Sequence, residues 1–424
     1  MTAHKEAEKF YQKLQDKFTR KINLDRSRIF LALQKYNINP NKNIRGKVIQ
    51  IIGSDGKNTV VQSLKSIFIQ NKKKITTFTS PSILHPLDRI FLKDKFISLS
   101  KFKSIAKQII FSKTKLTLFE VITLIYIKSL RYIKNIDYHL IEAGCGFDKD
   151  STNLFDAPKA QIITNLNLQH QQLLKANSIY DICKIKVGAL SHKTTIYIGK
   201  QKPKTLKIIK KILQKNPSKK IYYVRDFKII KKNNFFLYKD KKGTLKLKAE
   251  QIHSNGLWEN IATSIKISRD LKISNDTILK SLPKIKLIGR LEYIKNGKLR
   301  KLLFKKEDFL LDGCHSEVAI KNHVSFIKKI NKPKFAIWSL QKNRYPNQFV
   351  KHLKIFNKIV AIKIPGEPNS CSAEHLKKAA KQNGIKCVTA PNIYSAIKKI
   401  STKEAKCISL IGSLYTVGRV LNLN

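Results

Sequence analysis

Acidic residues are scarce in this sequence: 28 Asp and Glu stand against 85 Lys and Arg, a formal net charge of +57 over 424 residues. Arginine is scarce as well, supplying only 12 of those 85. The second shortage argues against the usual reading of a basic chain. Dedicated nucleic-acid binders set their basic residues in a stripe, with Arg for bidentate contacts and aromatics between for stacking. Here Lys runs through every segment beside Ile and Asn, as an A- and T-rich coding sequence would produce, and no specific nucleic-acid partner is expected. A positive field would still draw anionic ligands to the chain.

Other absences narrow the class further. The six cysteines (Cys145, Cys183, Cys314, Cys371, Cys387, Cys407) contain no CxxC pair. Neither a disulfide framework nor a zinc finger is indicated, and a reducing, cytoplasmic location is expected. The start, MTAHKEAEKFYQKL, is too charged for a signal peptide. The longest apolar stretch, 116–127, is interrupted by Glu120 and followed by Lys128, which reads as a core helix and gives no membrane span. No internal repeat or low-complexity tract appears beyond the lysine bias. What remains is ordinary, with 42% hydrophobic and 27% charged residues in a chain long enough for two or three domains.

The pattern along the chain is α/β. Residues 5–38 read as two helices around a polar break. KVIQII (47–52) reads as a buried strand and 59–70 as a helix carrying Val61, Leu64, Ile67 and Phe68 inward. ITTFTS (75–80), a helix over 119–132, YHLIEAG (138–144), QIITNL (161–166) and TTIYIGK (194–200) continue the alternation. Between 221 and 249 short period-2 runs predict a β-rich annex, and 256–271 returns to helix. A boundary is expected near 288–308. A second α/β unit follows: DFLLDG, a helix from about Glu317, FAIWSL (335–340), KIVAIKI (358–364), KCVTA (386–390) and CISLIG (407–412), with a helix over 372–382. The expected fold is therefore an N-terminal P-loop-type, mostly parallel sheet with helices on both faces and a small β annex (about 220–250), then a C-terminal Rossmann-like α/β domain. The division is 1–288, a linker and start of the second domain over 289–308, and 309–424.

The strongest local signal is Gly53-Ser54-Asp55-Gly56-Lys57-Asn58-Thr59. Ile51 stands where GxxxxGK[ST] would have its first Gly, so the usual pattern is not met. The parts of a phosphate cradle are nevertheless present. Two glycines let backbone N–H groups approach oxygens, Lys57 neutralises phosphate charge, Thr59 can reach Mg²⁺, and the following helix presents its positive end. The competing reading is a plain polar strand-to-helix turn. Glu142, at the end of an apolar strand, calls for a metal or a Lys partner, because an isolated carboxylate is costly to bury. His170 follows another strand and reads as a ligand or as a packed polar residue. Asp312 and His315 lie just past a strand end, where α/β folds bind ligands, or Asp312 caps the next helix.

At this loop the chain resembles the dihydrofolate synthase/folylpolyglutamate synthase family and its Mur ligase relatives, which carry GTNGKGS or GTNGKTT here. Further segments follow in the family's order, from about residue 30 to Leu421. Thr79-Ser80-Pro81 with Leu87-Asp88-Arg89-Ile90 is similar to TSPH…ERI, and Thr117-Leu118-Phe119-Glu120 to TxFE. Glu142-Ala143-Gly144-Cys145-Gly146 through Asp150-Ser151-Thr152-Asn153 resembles EVGLGGRLDATN. Ile163-Thr164-Asn165 with His170 resembles ITxI…DH, and Lys186-Val187-Gly188 resembles EKAG. Gly289-Arg290-Leu291-Glu292 matches GRLE, and Asp312-Gly313-Cys314-His315 resembles DGAHN.

The resemblance implies a cytoplasmic, monomeric ligase that adds L-glutamate to dihydropteroate, to the γ-carboxylate of reduced folates, or to both. ATP first phosphorylates the acceptor carboxylate, and glutamate attacks the acyl phosphate. ATP would bind in the cleft between the domains, on Gly53 to Thr59, Asn260, Arg290, Asp312 and His315. Two Mg²⁺ ions would be held among Thr59, Ser80, Glu142, His170 and Lys186, the last carbamylated. Thr117, Phe119 and Asp150 would line the pterin pocket, and Lys57, Lys186 and His170 would serve the chemistry. The chain departs from the pattern at Asn58, Ser82, Ser316, Phe147-Asp148 in place of Gly-Arg, Gln169 in place of the Asp of DH, and Ile185 in place of Glu. The Phe147-Asp148 change reads as lost positive charge and added bulk near the substrate. The alternatives are a Mur-type ligase with another acceptor and a catalytically retired nucleotide- or polyanion-binding homologue.

Overall fold

The structure, a computed structural model, describes residues 3–19, 23–44, 47–111, 115–344 and 346–424. The sequence forms two compact units, Met1–Ala249 with Leu257–Ile285, and Glu250–Gly256 with Lys286–Asn424. The expected helical start appears as Ala3–Lys17 and Ser27–Lys35, with a short further helix at Pro40–Ile44; part of the polar break between the first two lies outside the described residues. No helix among the described residues is long and apolar enough to cross a membrane.

Eight strands make the main sheet of the first unit: β1 (Val48–Ile52), β2 (Ile75–Phe78), β3 (Ile90–Lys93), β4 (Lys95–Phe96), β5 (Tyr138–Glu142), β6 (Ala160–Ile163), β7 (Thr195–Ile198) and β8 (Lys219–Tyr222). Their order is β4-β3-β2-β5-β1-β6-β7-β8, parallel except for the β3–β4 edge hairpin. All five residues of β1 and all four of β2 and β6 are buried, which is why these strands read as unbroken apolar runs. One core packs the helices Ala3–Lys17, Ser27–Lys35, Leu99–Phe111 and Leu118–Ser129 around Phe78 and Ile141. Another packs Ile179–Val187 and Pro203–Ile212 against Ile163, Ile196 and Ile198. The β3–β4 hairpin and the helix Leu99–Phe111 escaped the sequence reading.

The annex is smaller than the sequence pattern implied. The run around Ile221 pairs parallel with β7 and extends the main sheet. Only β9 (Phe227–Lys231), β10 (Phe236–Asp240) and β11 (Gly243–Leu247) form the antiparallel meander. A buried charge network ties it to the helix Asn255–Asp270. Arg269 Nη1 donates to Asp240 Oδ1 at 2.6 Å, Lys266 Nζ to Asp270 Oδ1 at 2.7 Å, and the Tyr238 hydroxyl lies 2.9 Å from Asp240 Oδ2. The Asp240 side chain has no exposed surface.

The second unit is a six-stranded sheet of β12 (Glu292–Tyr293), β13 (Glu307–Asp312), β14 (Lys334–Trp338), β15 (Lys358–Ala361), β16 (Cys387–Thr389) and β17 (Lys406–Ile411). Its order is β12-β13-β17-β14-β15-β16, parallel apart from β12. The polar segment expected to be a linker thus contributes an edge strand.

Breaking the annex network tests whether it holds the fold. Arg269→Met leaves Asp240 buried without its guanidinium, and a loss of about 3–5 kcal/mol is expected, read as a lowered denaturation midpoint. The double variant Arg269→Met/Asp240→Leu should recover most of it.

Candidate active site

The strand order decides where functional groups can meet. β1 lies between β5 and β6, with β2 beyond β5, so the turns after these four parallel strands open at one carboxyl edge. Such an edge is where α/β sheets take ligands. The residues expected at the phosphate and metal positions of this unit lie there: 53–59 after β1, Ser80 after β2, Glu142 at the end of β5, and His170 in the turn after β6.

The loop after β1 is held from the β6 side. Ser54 and Asp55 N–H both donate to the Asn165 carbonyl, at 2.9 and 3.2 Å, and Ser54 Oγ meets the Asn167 carbonyl at 3.1 Å. Gly56 opens the helix Lys57–Gln70 at φ +89, a left-handed conformation that favours glycine, and no side chain caps that helix. A Cβ at Gly56 would come within 2.4 Å of Asn260 Oδ1, so the Asn260 amide lies directly over the loop. Lys57 Nζ folds back onto the Gly53 carbonyl at 3.1 Å, and Thr59 is buried in the first helical turn. The loop therefore has an uncapped helix start and a Lys ammonium together, the arrangement that binds phosphate.

Glu142 is buried, and its Oε2 accepts from Ser80 N–H at 3.4 Å, which joins two of the expected metal positions. His170 has a left-handed backbone, φ +57, at the start of the short helix Gln171–Leu174. Thr59, Ser80 and Glu142 offer hard oxygen donors of the kind Mg²⁺ takes, with its remaining positions left to phosphate oxygens and water. Lys186 reaches the same region from the helix Ile179–Val187. Its ammonium donates to the Cys145 carbonyl, and burial, with the Lys57 charge adding to it, lowers its pKa to about 8.

The expected acceptor positions also meet. Phe119 and Asp150 flank Gly144, where a Cβ would lie 2.5 Å from Asp150 Oδ2 and 2.9 Å from Phe119 Cε1. Burial raises the Asp150 pKa, against hydrogen bonds from Thr152 and the Gly144 N–H. Thr117 and Glu120 form a reciprocal capping box for the helix Leu118–Ser129, and Arg28 grips Glu120 with bonds of 2.7 and 3.2 Å. The TxFE segment thus fixes the helix that presents Phe119. Phe147 corrects an expectation: it is 1% exposed and packs with Ile52, Ala143, Cys183 and Val187, so its bulk lies in the core.

In the second unit, Gly313 N–H donates to the Gly289 carbonyl at 2.9 Å, which brings the turn bearing Arg290 beside Asp312. His315 Nδ1 lies 2.9 Å from the Gly313 carbonyl. The cap of the helix Glu317–Ile327 is Ser316, whose hydroxyl accepts from Ala319 N–H, so Asp312 is not spent as a cap.

No protein-family model matches the chain. Curated relatives match it nearly end to end. It is 24% identical over 429 residues to the dihydrofolate synthetase of Saccharomyces cerevisiae, covering 95% of this chain and 98% of that one. It is 23% identical over 409 residues to a probable dihydrofolate synthetase of Schizosaccharomyces pombe, with 92% and 95% covered. The dihydrofolate synthase/folylpolyglutamate synthase of Bacillus subtilis is 22% identical over 404 residues, 90% of each chain. By sequence, the chain is similar over nearly its whole length to dihydrofolate synthases and folylpolyglutamate synthases. The fold agrees. E. coli FolC in complex with DHPP and ADP superposes with a TM-score of 0.85 at 18% identity, covering 98% and 96% of the two chains. The folylpolyglutamate synthase of Mycobacterium tuberculosis complexed with ADP also gives 0.85, at 17% identity over 100% and 99%.

Set beside the family's motifs, one departure turns out to be two. Gln169 stands where the family has the Asp of DH, and Asp55 stands where GTNGKGS has Asn. The two side chains bond each other, Gln169 Nε2 donating to Asp55 Oδ2 at 2.9 Å, with Asn167 Nδ2 on the same oxygen at 2.6 Å. At these two motif positions the amide and the carboxylate are exchanged, and in this chain the two side chains are hydrogen-bonded to each other. Reading each motif alone misses this exchange; comparing both departures would have found it. Asp55→Asn removes the acceptor charge and Gln169→Asp sets two carboxylates together. Each is expected to lower kcat/KM about tenfold or more, since losing a charged hydrogen bond costs ~1.5–3 kcal/mol. The double exchange should restore most of the loss in the same assay.

Proposed function

We propose that this protein is an ATP-dependent ligase that joins L-glutamate to dihydropteroate, to the γ-carboxylate of a reduced folate, or to both. The observation that carries this reading is the gathering of Lys57, Thr59, Ser80, Glu142 and Lys186 around one sheet edge, in a chain that aligns over nearly its whole length with dihydrofolate synthases.

The chemistry follows from what these groups can do. A carboxylate is a poor electrophile, so an acceptor oxygen first takes the γ-phosphoryl group of ATP and ADP leaves. The glutamate amine then attacks the acyl carbon, phosphate departs, and the amine gives up its proton. In-line phosphoryl transfer depends on positioning and charge neutralisation, which the loop N–H groups and Lys57 supply. When bound, Mg²⁺ adds neutralisation of the phosphates; Thr59, Ser80, Glu142 and His170 would hold it, with a second ion at Lys186. Phe119 and Asp150 offer an aromatic face and a buried carboxyl to the pterin. The first unit would carry the triphosphate and acceptor, and Arg290, Asp312 and His315 are the further nucleotide contacts that the resemblance implies. The six cysteines are unpaired, in keeping with a reducing cytosol, and the family resemblance favours a monomer.

Carbamylation of Lys186 would make a buried cation into an anionic oxygen ligand. CO₂ adds only to the neutral amine. With the pKa at about 8, about a tenth of Lys186 is neutral at pH 7, and more as pH rises. Activity is therefore expected to rise with added bicarbonate, most at pH below about 8, and ¹³C-bicarbonate should give a carbamate signal that Lys186→Ala lacks. An unchanged rate with no such signal would remove the modification from the scheme.

The ligase itself is tested by Mg-ATP turnover with L-glutamate and either dihydropteroate or tetrahydrofolate. ADP release that needs both glutamate and acceptor, and is lost in Lys57→Ala, is the expected result. Nucleotide binding without turnover on either acceptor refutes it.

A further inference from the structure

Asp312 ends β13 with its side chain 8% exposed, and it does not stand alone. His323, wholly buried on the helix Glu317–Ile327, places Nδ1 3.0 Å from Asp312 Oδ2. The other ring nitrogen lies 3.1 Å from Ser409 Oγ, which projects from β17. β13 and β17 are parallel neighbours, with Leu310 paired to Ser409 and Asp312 to Ile411, so the imidazole bridges two adjacent strands. Nothing in the sequence motifs pointed to His323 or Ser409.

The carboxylate fixes the direction of the first bond. A carboxylate only accepts, so Nδ1 must carry a ring proton toward Asp312. In the neutral ring Nε2 then accepts from the Ser409 hydroxyl; in the protonated ring it donates to Ser409 Oγ, and the ring is held in place either way. The other tautomer would set two lone pairs against each other at 3.0 Å in a buried place, where an unmet bond costs most. Asp312 is thereby turned so that one oxygen is engaged from behind.

We propose that His323 is a positioning residue. With Ser409 behind it, it orients Asp312 so that the remaining carboxylate oxygen accepts from a ribose hydroxyl of the nucleotide. This rests on the reading of Asp312 as a nucleotide contact. A carboxylate at a strand end that meets ribose hydroxyls is a recurrent device of α/β sheets.

A rival must be weighed. Asp312, Cys314 and His323 place their donor atoms within 4.8 Å of one another, close enough to hold a metal ion. A soft-metal site needs the thiolate and a free imidazole nitrogen. Here both ring nitrogens are already engaged in hydrogen bonds. The hydrogen-bonded relay satisfies both ring nitrogens without an ion.

The test compares binding of ADP, 2′-deoxy-ADP and 3′-deoxy-ADP to the purified full chain by calorimetry with Mg²⁺ present. The wild-type chain should bind ADP about tenfold or more tightly than one of the deoxy nucleotides, as sites built for a hydroxyl reject its absence. His323→Leu should erase that preference by weakening ADP while leaving the deoxy nucleotide unchanged. Ser409→Ala should reduce it, and His323→Asn, which keeps a donor near the Nδ1 position, should restore part of it. Preference intact in His323→Leu, or all three nucleotides weakened alike in both His323→Leu and Ser409→Ala, overturns the proposal. So does a stoichiometric metal ion whose removal by a chelator abolishes binding. A wild-type chain that binds none of the three nucleotides overturns the ligase reading together with it, which separates the two failures.

Discussion

The turn after β1 and the turn after β6 are pressed so close that no side chain fits between them, and the candidate site of the first unit depends on that contact. A Cβ on Gly53 would lie 1.8 Å from Thr164 Oγ1. Because the turns touch, two successive N–H groups of the loop find the same Asn165 carbonyl, and Asp55 reaches the amides of Asn167 and Gln169. The loop is thus held by contacts within the chain, and Lys57 Nζ is itself bonded to the Gly53 carbonyl. Such preorganisation is what phosphoryl transfer asks of a protein, since little covalent help is needed.

The fold was legible where burial on both faces dictated composition. β1, β2, β5 and β6 announce themselves as apolar runs because parallel central strands have no solvent face. The β3–β4 hairpin gave no such signal. Its two strands hold only four and two residues, Lys93 takes a positive φ, and the second strand is exposed throughout. At β8 the strand was seen but its partner was not. Alternation or an apolar run tells that a segment is extended, while the choice between extending the main sheet and opening the annex is made by distant residues of β7.

The candidate site was legible in its charges and not in its pairings. Glu142, His170, Asp312 and His315 could be placed at strand ends from the sequence alone. What each side chain would touch could not. Phe147 looked like an intruder in the substrate region, yet the chain turns it into the core among residues from several elements. Thr117 of TxFE reads from the motif as a pocket residue and is first a helix cap together with Glu120, which Arg28 clamps from 92 residues away. A capping box is a local pattern and could have been read; the Arg28 clamp is long-range and could not.

The lysine bias of the composition turns into an argument once burial is considered. A chain with this much Lys can leave nearly all of it in water, where a charged head costs nothing to solvate and the stem covers apolar surface. Lys186, Lys266 and Lys406 are each only 3% exposed. Lys266 meets Asp270 and Asp240, and Lys406 meets Glu307, so both have the counter-charge that burial demands. Lys186 has no carboxylate within ion-pair distance among the described residues, and the charge that bears on it most is another cation, Lys57, ahead of the Asp150 carboxylate. Bias in the coding sequence explains why a lysine is common on a surface; it gives no reason to bury one against its own kind. Burial and the Lys57 charge together shift Lys186 toward its neutral amine, the form from which the proposed carbamate would be made.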